Sequence, residues 1–205
     1  MVENIKWLGH DVFQITENNL TIYTDPYKIS KEKEADLILI SHSHFDHCSP
    51  DDVKKIQGPN TTIVTTPDCT EKLEGDIKSV KPGDKINVKD VNIEVVPAYN
   101  IGKDFHPKSN NWVGFIFTVG DKTYYFAGDT DYIPEMDSFK EKNIDIALIP
   151  VSGTYVMTAE EAVKATKAIK PKIAIPMHYG TIVGSQNDAQ YFKEQLEGIV
   201  EVHIL

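Results

Sequence analysis

The sequence predicts an α/β domain in which two sheets pack together with helices outside. Three observations lead there. A chain of 205 residues is long enough for one core without staples. Each half carries a β-hairpin followed by a continuous apolar run, and the helical periodicities come after those runs. A hydrophobic fraction of 40% excludes disordered and fibrous classes. One domain spanning 1–205 is therefore expected.

Val12 to Glu17 and Leu20 to Thr24 are β-rich runs separated by Asn18-Asn19, a pair that tolerates positive φ, and so read as a hairpin. Ala35 to Ile40 ends as an unbroken apolar run, the pattern of a strand covered on both faces. Thr61 to Thr65, Lys85 to Val88 and Val91 to Val96 read as further strands, with Pro82-Gly83-Asp84 turning the chain between them. In the second half Trp112 to Val119 and Thr123 to Ala127 flank a Gly120-Asp121 turn, and Asp145 to Pro150 ends like a buried strand. Thr158-Ala159-Glu160-Glu161 is a capping box, and Ala159, Ala162, Val163, Thr166 and Ile169 recur at helical spacing until Pro171 stops the helix. Lys172 to Met177 is a strand, Asp188 to Leu196 a helix and Ile199 to Ile204 a last strand.

The charge balance narrows the partners. All 21 basic residues are lysine and the net charge is -10, so the chain lacks the two-pronged guanidinium and repels polyanions at long range. A small-molecule substrate is expected and nucleic acid is disfavoured. No window approaches the roughly 18 consecutive apolar residues of a membrane span, and Met1 to Lys6 has no apolar stretch of a signal peptide. Cys48 and Cys69 are too few and too far apart for a disulfide framework or a Cys-x-x-Cys metal site, which fits a reducing compartment. A cytoplasmic protein is expected, either as a monomer or as a symmetric assembly.

Chemistry concentrates at the ends of the buried strands. Ser41-His42-Ser43-His44-Phe45-Asp46-His47 follows the first of them, and it gathers three of the seven histidines beside a carboxylate. Imidazole and carboxylate suit zinc, iron or manganese, whereas magnesium and calcium sites are built mainly from oxygen. In an extended segment His42, His44 and Asp46 share one face and converge. Asp129, in Gly128-Asp129-Thr130, and His178, in Met177-His178-Tyr179, each lie just past the carboxyl end of an apolar strand, where open α/β architectures place their ligands.

His-x-His-x-Asp-His after a buried strand resembles the signature of the metallo-β-lactamase superfamily, and Trp7-Leu8-Gly9-His10 with Thr24-Asp25-Pro26 is similar to its branch of small, sugar-lactonase-like hydrolases. The resemblance spans nearly the whole chain. It implies a four-layer αβ/βα sandwich with a binuclear site at one edge. His42 and His44 would hold the first metal, Asp46, His47 and His178 the second, and Asp129 would bridge them. Zinc is the expected ion, with manganese or iron as the others these ligands accept. The family's usual histidine after Val91 to Val96 is replaced by Asn100, so the first shell is completed by His106, by Asn100 or by water, and a mononuclear site stays open. Asp25 is expected to orient a metal-bound imidazole. His10 reads as another such partner, a substrate contact or a structural residue. Cys48 reads as a small buried side chain and His203 as a strand residue without function.

The resemblance implies hydrolysis by a metal-activated water on a small ester, lactone, amide or phosphoester, with Asp46 orienting the hydroxide. Loops Ile101 to Asn111, Ser152 to Met157 and Thr181 to Asn187 would surround the site and bring Tyr155 and Tyr179 near it. The competing readings are an iron-dependent redox enzyme on the same fold and a non-catalytic metal-binding scaffold.

Overall fold

A computed structural model describes residues 2–30 and 32–205. The first sheet holds β1 (Ile5–Gly9), β2 (Val12–Glu17), β3 (Leu20–Thr24), β4 (Ala35–Leu39), β5 (Gln57–Thr65) and β6 (Asp76–Ser79), side by side in chain order. The second holds β7 (Lys85–Val88), β8 (Val91–Pro97), β9 (Val113–Val119), β10 (Lys122–Phe126), β11 (Ile146–Pro150), β12 (Ile173–Met177) and β13 (Glu201–Val202), again in chain order. Each sheet begins with antiparallel hairpins and ends with parallel strands. The turn between β2 and β3 has positive φ at both Asn18 (51°) and Asn19 (64°), the conformation that suits the twist of a two-residue hairpin.

Alternation along the strands sorts side chains into layers. Phe13, Ile15, Ile22, Leu37, Leu39 and Val64 join the large core shared with the second sheet. Their neighbours Val12, Tyr23, Ile38, Ile40 and Ile63 face the other way, onto Val53 and Ile56 of helix α1 (Pro50–Ile56) and Cys69 of the short α2 (Pro67–Thr70). Helices α3 (Ala159–Ile169) and α4 (Gln186–Gln195) add Ala162, Val163, Ile169, Ala189 and Phe192 to the large core. The result is the expected α/β sandwich of two mixed sheets with helices outside.

The capping box of α3 forms as the sequence indicates: Glu161 N–H donates to Thr158 Oγ1 at 3.2 Å, and Thr158 N–H donates to Glu161 Oε2 at 2.9 Å. Several elements differ from expectation, among them β1 and α2, which have no counterpart among the predicted elements, and β5, which starts at Gln57 where Thr61 is expected. The last strand shrinks from 199–204 to Glu201–Val202, because the N–H groups of Ile199 and Val200 turn back to the Leu196 carbonyl and close the end of α4. α1 is not among the predicted elements, because it has only two turns, although Ser49-Pro50-Asp51-Asp52 supplies an N-cap followed by proline and acidic residues. β6 is a largely exposed edge strand whose composition, Asp76-Ile77-Lys78-Ser79, carries little β signal.

Candidate metal centre

Five chain segments meet where the parallel strands of both sheets end. His42, His44, Asp46 and His47 come from the segment between β4 and α1, Asp129 from the turn after β10, and His178 from the turn after β12. His106 comes from the loop between β8 and β9, and His10 and Asp11 from the turn between β1 and β2. All seven residues singled out from the sequence come together. Ring atoms of His42, His44 and His106 lie within 4.8 Å of one another, as do atoms of Asp11, His47, Asp129 and His178.

Asp129 stands between the two groups. Its Oδ2 lies 3.2 Å from His106 Nε2, 3.3 Å from His178 Nε2 and 3.5 Å from His47 Nε2. None of these three nitrogens has a hydrogen-bond partner, nor has Asp129 Oδ1, although all are buried. Buried polar atoms left unpaired cost about 1–3 kcal/mol each. Unpaired imidazole nitrogens gathered around one carboxylate are the arrangement cations resolve, and the donor set of imidazole and carboxylate fits zinc, manganese or iron.

The far sides of four rings, His42, His47, His106 and His178, are held, which fixes the nitrogen that points inward. His47 Nδ1 is 2.7 Å from Asp25 Oδ2, and His178 Nδ1 is 2.8 Å from Ser152 Oγ. His42 Nδ1 is 2.9 Å from Ser41 Oγ, which donates to Asp25 Oδ2 at 2.5 Å. Asp25 also accepts from Ser41 N–H, so a single buried carboxylate stands behind both His42 and His47. Asn100 does the same service for His106: its Oδ1 accepts from the His106 backbone at 3.1 Å and lies 3.0 Å from His106 Nδ1. Asn100 is in turn fixed by donating to Asp131 Oδ1 and the Tyr155 carbonyl. Asn100 thus holds the His106 ring in place.

Charge follows burial and pairing. Burial opposes ionisation of Asp129, but His178 and His47 hold its carboxyl well below the usual range. Burial likewise pushes His178 down, yet Asp129 and Asp11 outweigh it and raise the ring to about 9. His47 is raised well above its ordinary value against burial, by Asp129 and Asp25. Burial drives His42 well below the ordinary histidine value and lowers His44. Asp46 is the most exposed of the carboxylates; burial raises it, but the 3.1 Å bond from His10 Nε2 leaves it below the usual range.

A cavity of about 280 Å³ opens onto this cluster, lined by His44, Asp46, His106 and Asp129 and walled by Phe45, Phe105, Tyr155 and Ile182. Phe45 and Phe105 are exposed despite their size. Tyr155 is placed as expected, edge-on to Phe105 at 4.7 Å. Tyr179 is not part of the wall: it is buried and packs on Trp7 at 4.7 Å. His203 bonds Glu201 far from the cluster, and Cys48 is buried beside Cys69 in the outer core. Sequence reasoning missed Asp11, whose signal was its place directly after His10 in a turn, and missed Ser41 and Ser152 as the residues behind two rings. It also missed Phe45, Phe105 and Ile182, which read as ordinary loop hydrophobics.

The comparisons with known proteins converge on one class. Residues 4–178 match the profile of the β-lactamase superfamily domain. The UPF0173 metal-dependent hydrolase of Thermoplasma acidophilum is 33% identical over 219 residues, covering 100% of this chain and 96% of that protein. A crystallised Parabacteroides distasonis protein superposes with a TM-score of 0.87 at 33% identity, covering 98% of this chain and 91% of its own. Igni18, a metallo hydrolase of Ignicoccus hospitalis, follows at 0.80 and 26% identity, with 98% and 94% covered. The chain belongs to the metallo-β-lactamase superfamily and, within it, to the UPF0173 metal-dependent hydrolases. It is a metal-dependent hydrolase with a histidine and aspartate cluster that fits a metal site. No helix among the described residues is long and apolar enough to cross a membrane.

Proposed function

We propose that residues 1–205 form a single catalytic domain that hydrolyses a small ester, lactone, amide or phosphoester with two divalent cations, zinc in the first instance. His42, His44 and His106 hold one cation, Asp46, His47 and His178 the other, and Asp129 lies between them. The observation that carries this reading is the set of unpaired, buried imidazole nitrogens converging on Asp129. Bound cations supply water that is reactive at neutral pH and an electrophilic pole for the substrate's carbonyl or phosphoryl oxygen.

The chain's own residues supply the rest. Asp46 lines the cavity and is positioned through His10, so it orients the attacking water and accepts its proton. Asp25, Ser41, Asn100 and Ser152 keep the rings in the orientation and tautomer that ligation needs. Phe45, Phe105, Tyr155 and Ile182 exclude water and receive an apolar flank of the substrate. The net charge of -10 without arginine disfavours nucleic acid and other large polyanions. The two free thiols agree with a cytoplasmic location.

The test is metal content and turnover measured together. His42→Ala and His178→Ala should each lower bound metal, and with it hydrolysis of nitrophenyl esters, phosphodiesters or lactones; full retention of both in either variant overturns the assignment. A coloured, oxygen-reactive iron protein would support the redox reading instead. A metal-loaded protein that turns over none of these substrates would support the scaffold.

A further inference from the structure

Asp11 is a carboxylate for which the reading above has no use. It follows His10 in the turn between β1 and β2 and is completely buried, and neither of its oxygens has a hydrogen-bond partner. Asp25, its neighbour in the same interior, is satisfied by Ser41 and His47. Asp11 Oδ2 stops 3.6 Å from His47 Nδ1, beyond a hydrogen bond. One of its carboxylate oxygens also lies within 4.8 Å of a ligand-capable atom of each of His47, Asp129 and His178.

We propose that Asp11 is a further ligand of the second cation position, making it a seat of three carboxylates and two imidazoles. This rests on the two-cation reading. The span is close to that of one ion's ligands: atoms within 4.8 Å of one another need to draw in by a few tenths of an ångström to reach the ~3.0 Å of adjacent and ~4.2 Å of opposed ligands roughly 2.1 Å from an octahedral centre. The donor set is also distinctive. With Asp11, Asp46 and Asp129 the position is richer in oxygen than four-coordinate zinc sites, and it matches the five or six ligands, mostly oxygen, that manganese or ferrous iron accepts. The position built from His42, His44 and His106 remains richer in nitrogen. The two seats therefore differ in the ions they favour, and manganese occupancy of the second depends on Asp11.

The experiment compares wild type with Asp11→Asn by equilibrium dialysis against manganese or zinc, elemental analysis of ions per chain, manganese electron paramagnetic resonance, and melting temperature with and without metal. Wild type is expected to hold two manganese ions. In Asp11→Asn the second should bind at least about tenfold more weakly, with zinc changed by less than about threefold. The variant should gain less in melting temperature from manganese than wild type does, each compared with its own metal-free form. Asp11→Ser repeats the comparison if the amide variant fails to fold. Two manganese ions bound by both variants with wild-type affinity would overturn the assignment, and so would equal losses of manganese and zinc, the mark of a residue that only buttresses His47. Fewer than two ions in wild type would refute the two-cation reading itself, a result visible before any variant is made.

Discussion

If His178 is a ligand as proposed, metal must displace the proton that its ring holds at neutral pH in the metal-free protein. Its ring is raised to about 9, because Asp129 and Asp11 outweigh the burial that pushes it down. A group titrating at about 9 is neutral in only about one molecule in a hundred at pH 7. Since ligation needs the neutral nitrogen, the apparent affinity is lowered about 100-fold, or about 2.7 kcal/mol at 1.36 kcal/mol per pH unit. The sign follows from linkage. A histidine raised on folding stabilises the metal-free protein fully below the unfolded value near 6.5, and the contribution fades as pH rises through about 9. Metal binding runs the other way: its affinity should climb about tenfold per pH unit between pH 6 and 8 from His178 alone, more steeply with His47, which is also raised. Titration of the histidine ring protons by NMR in the metal-free protein, paired with zinc affinities at pH 6, 7 and 8, measures both halves. A His178 that titrates at or below 6.5, or an affinity flat across that range, would refute the argument.

Three further outcomes are expected. Asn100→Ala removes the acceptor behind His106 and should weaken metal binding about 10- to 100-fold, read by competition with a chelating dye, and should also lower the melting temperature of the metal-free protein, because the partners of its other buried bonds are left unpaired. Asp52 accepts from the backbone of Lys28 and Ile29, from Ser49 and from Lys55, and these bonds outweigh burial to hold its carboxyl below the usual range. Asp52→Asn should cost about 1–3 kcal/mol at pH 7, and because a depressed carboxylate stabilises above its unfolded value and stops doing so as pH falls through the folded one, the gap in denaturant midpoint should close below pH ~4. Gly128 has φ +62°, and a Cβ there would stand 2.9 Å from the Val113 carbonyl and 3.0 Å from Ser41 Cβ. Gly128→Ala should therefore destabilise the fold by at least about 1–2 kcal/mol and displace Ser41 and Asp129, detected as joint loss of thermal stability and bound metal.

How legible the molecule was depended on whether a signal was local. Strands with continuous apolar runs, such as Leu37 to Ile40 and Ile146 to Ile149, carry their burial in their own composition, and the chemistry sits at their ends. The Asn18-Asn19 hairpin and the Thr158 capping box are likewise encoded within a few residues. Partnerships across the chain were not legible. Nothing near Asn100 in sequence says that its amide will meet His106 after the loop folds back, or that Ser152 will stand behind His178. Asp11 was hidden for another reason: an aspartate in a turn is ordinary until the turn is seen to be buried against three ligand candidates. Tyr179 failed the opposite way, since its neighbour His178 faces the cluster while its own ring turns back onto Trp7.

The convergence of segments from both sheets has a mechanical consequence. His42, His44, Asp46 and His47 hang from the first sheet, while His106, Asp129 and His178 hang from the second. On the proposed ligand set, ions shared between them would act as rivets across the seam of the sandwich, closing a chain loop of more than a hundred residues from position 42 to 178. Protein stripped of its ions should slide and breathe along that seam first, so protease sensitivity and amide exchange should open in the strand ends around the rivets well before the cores on either side give way.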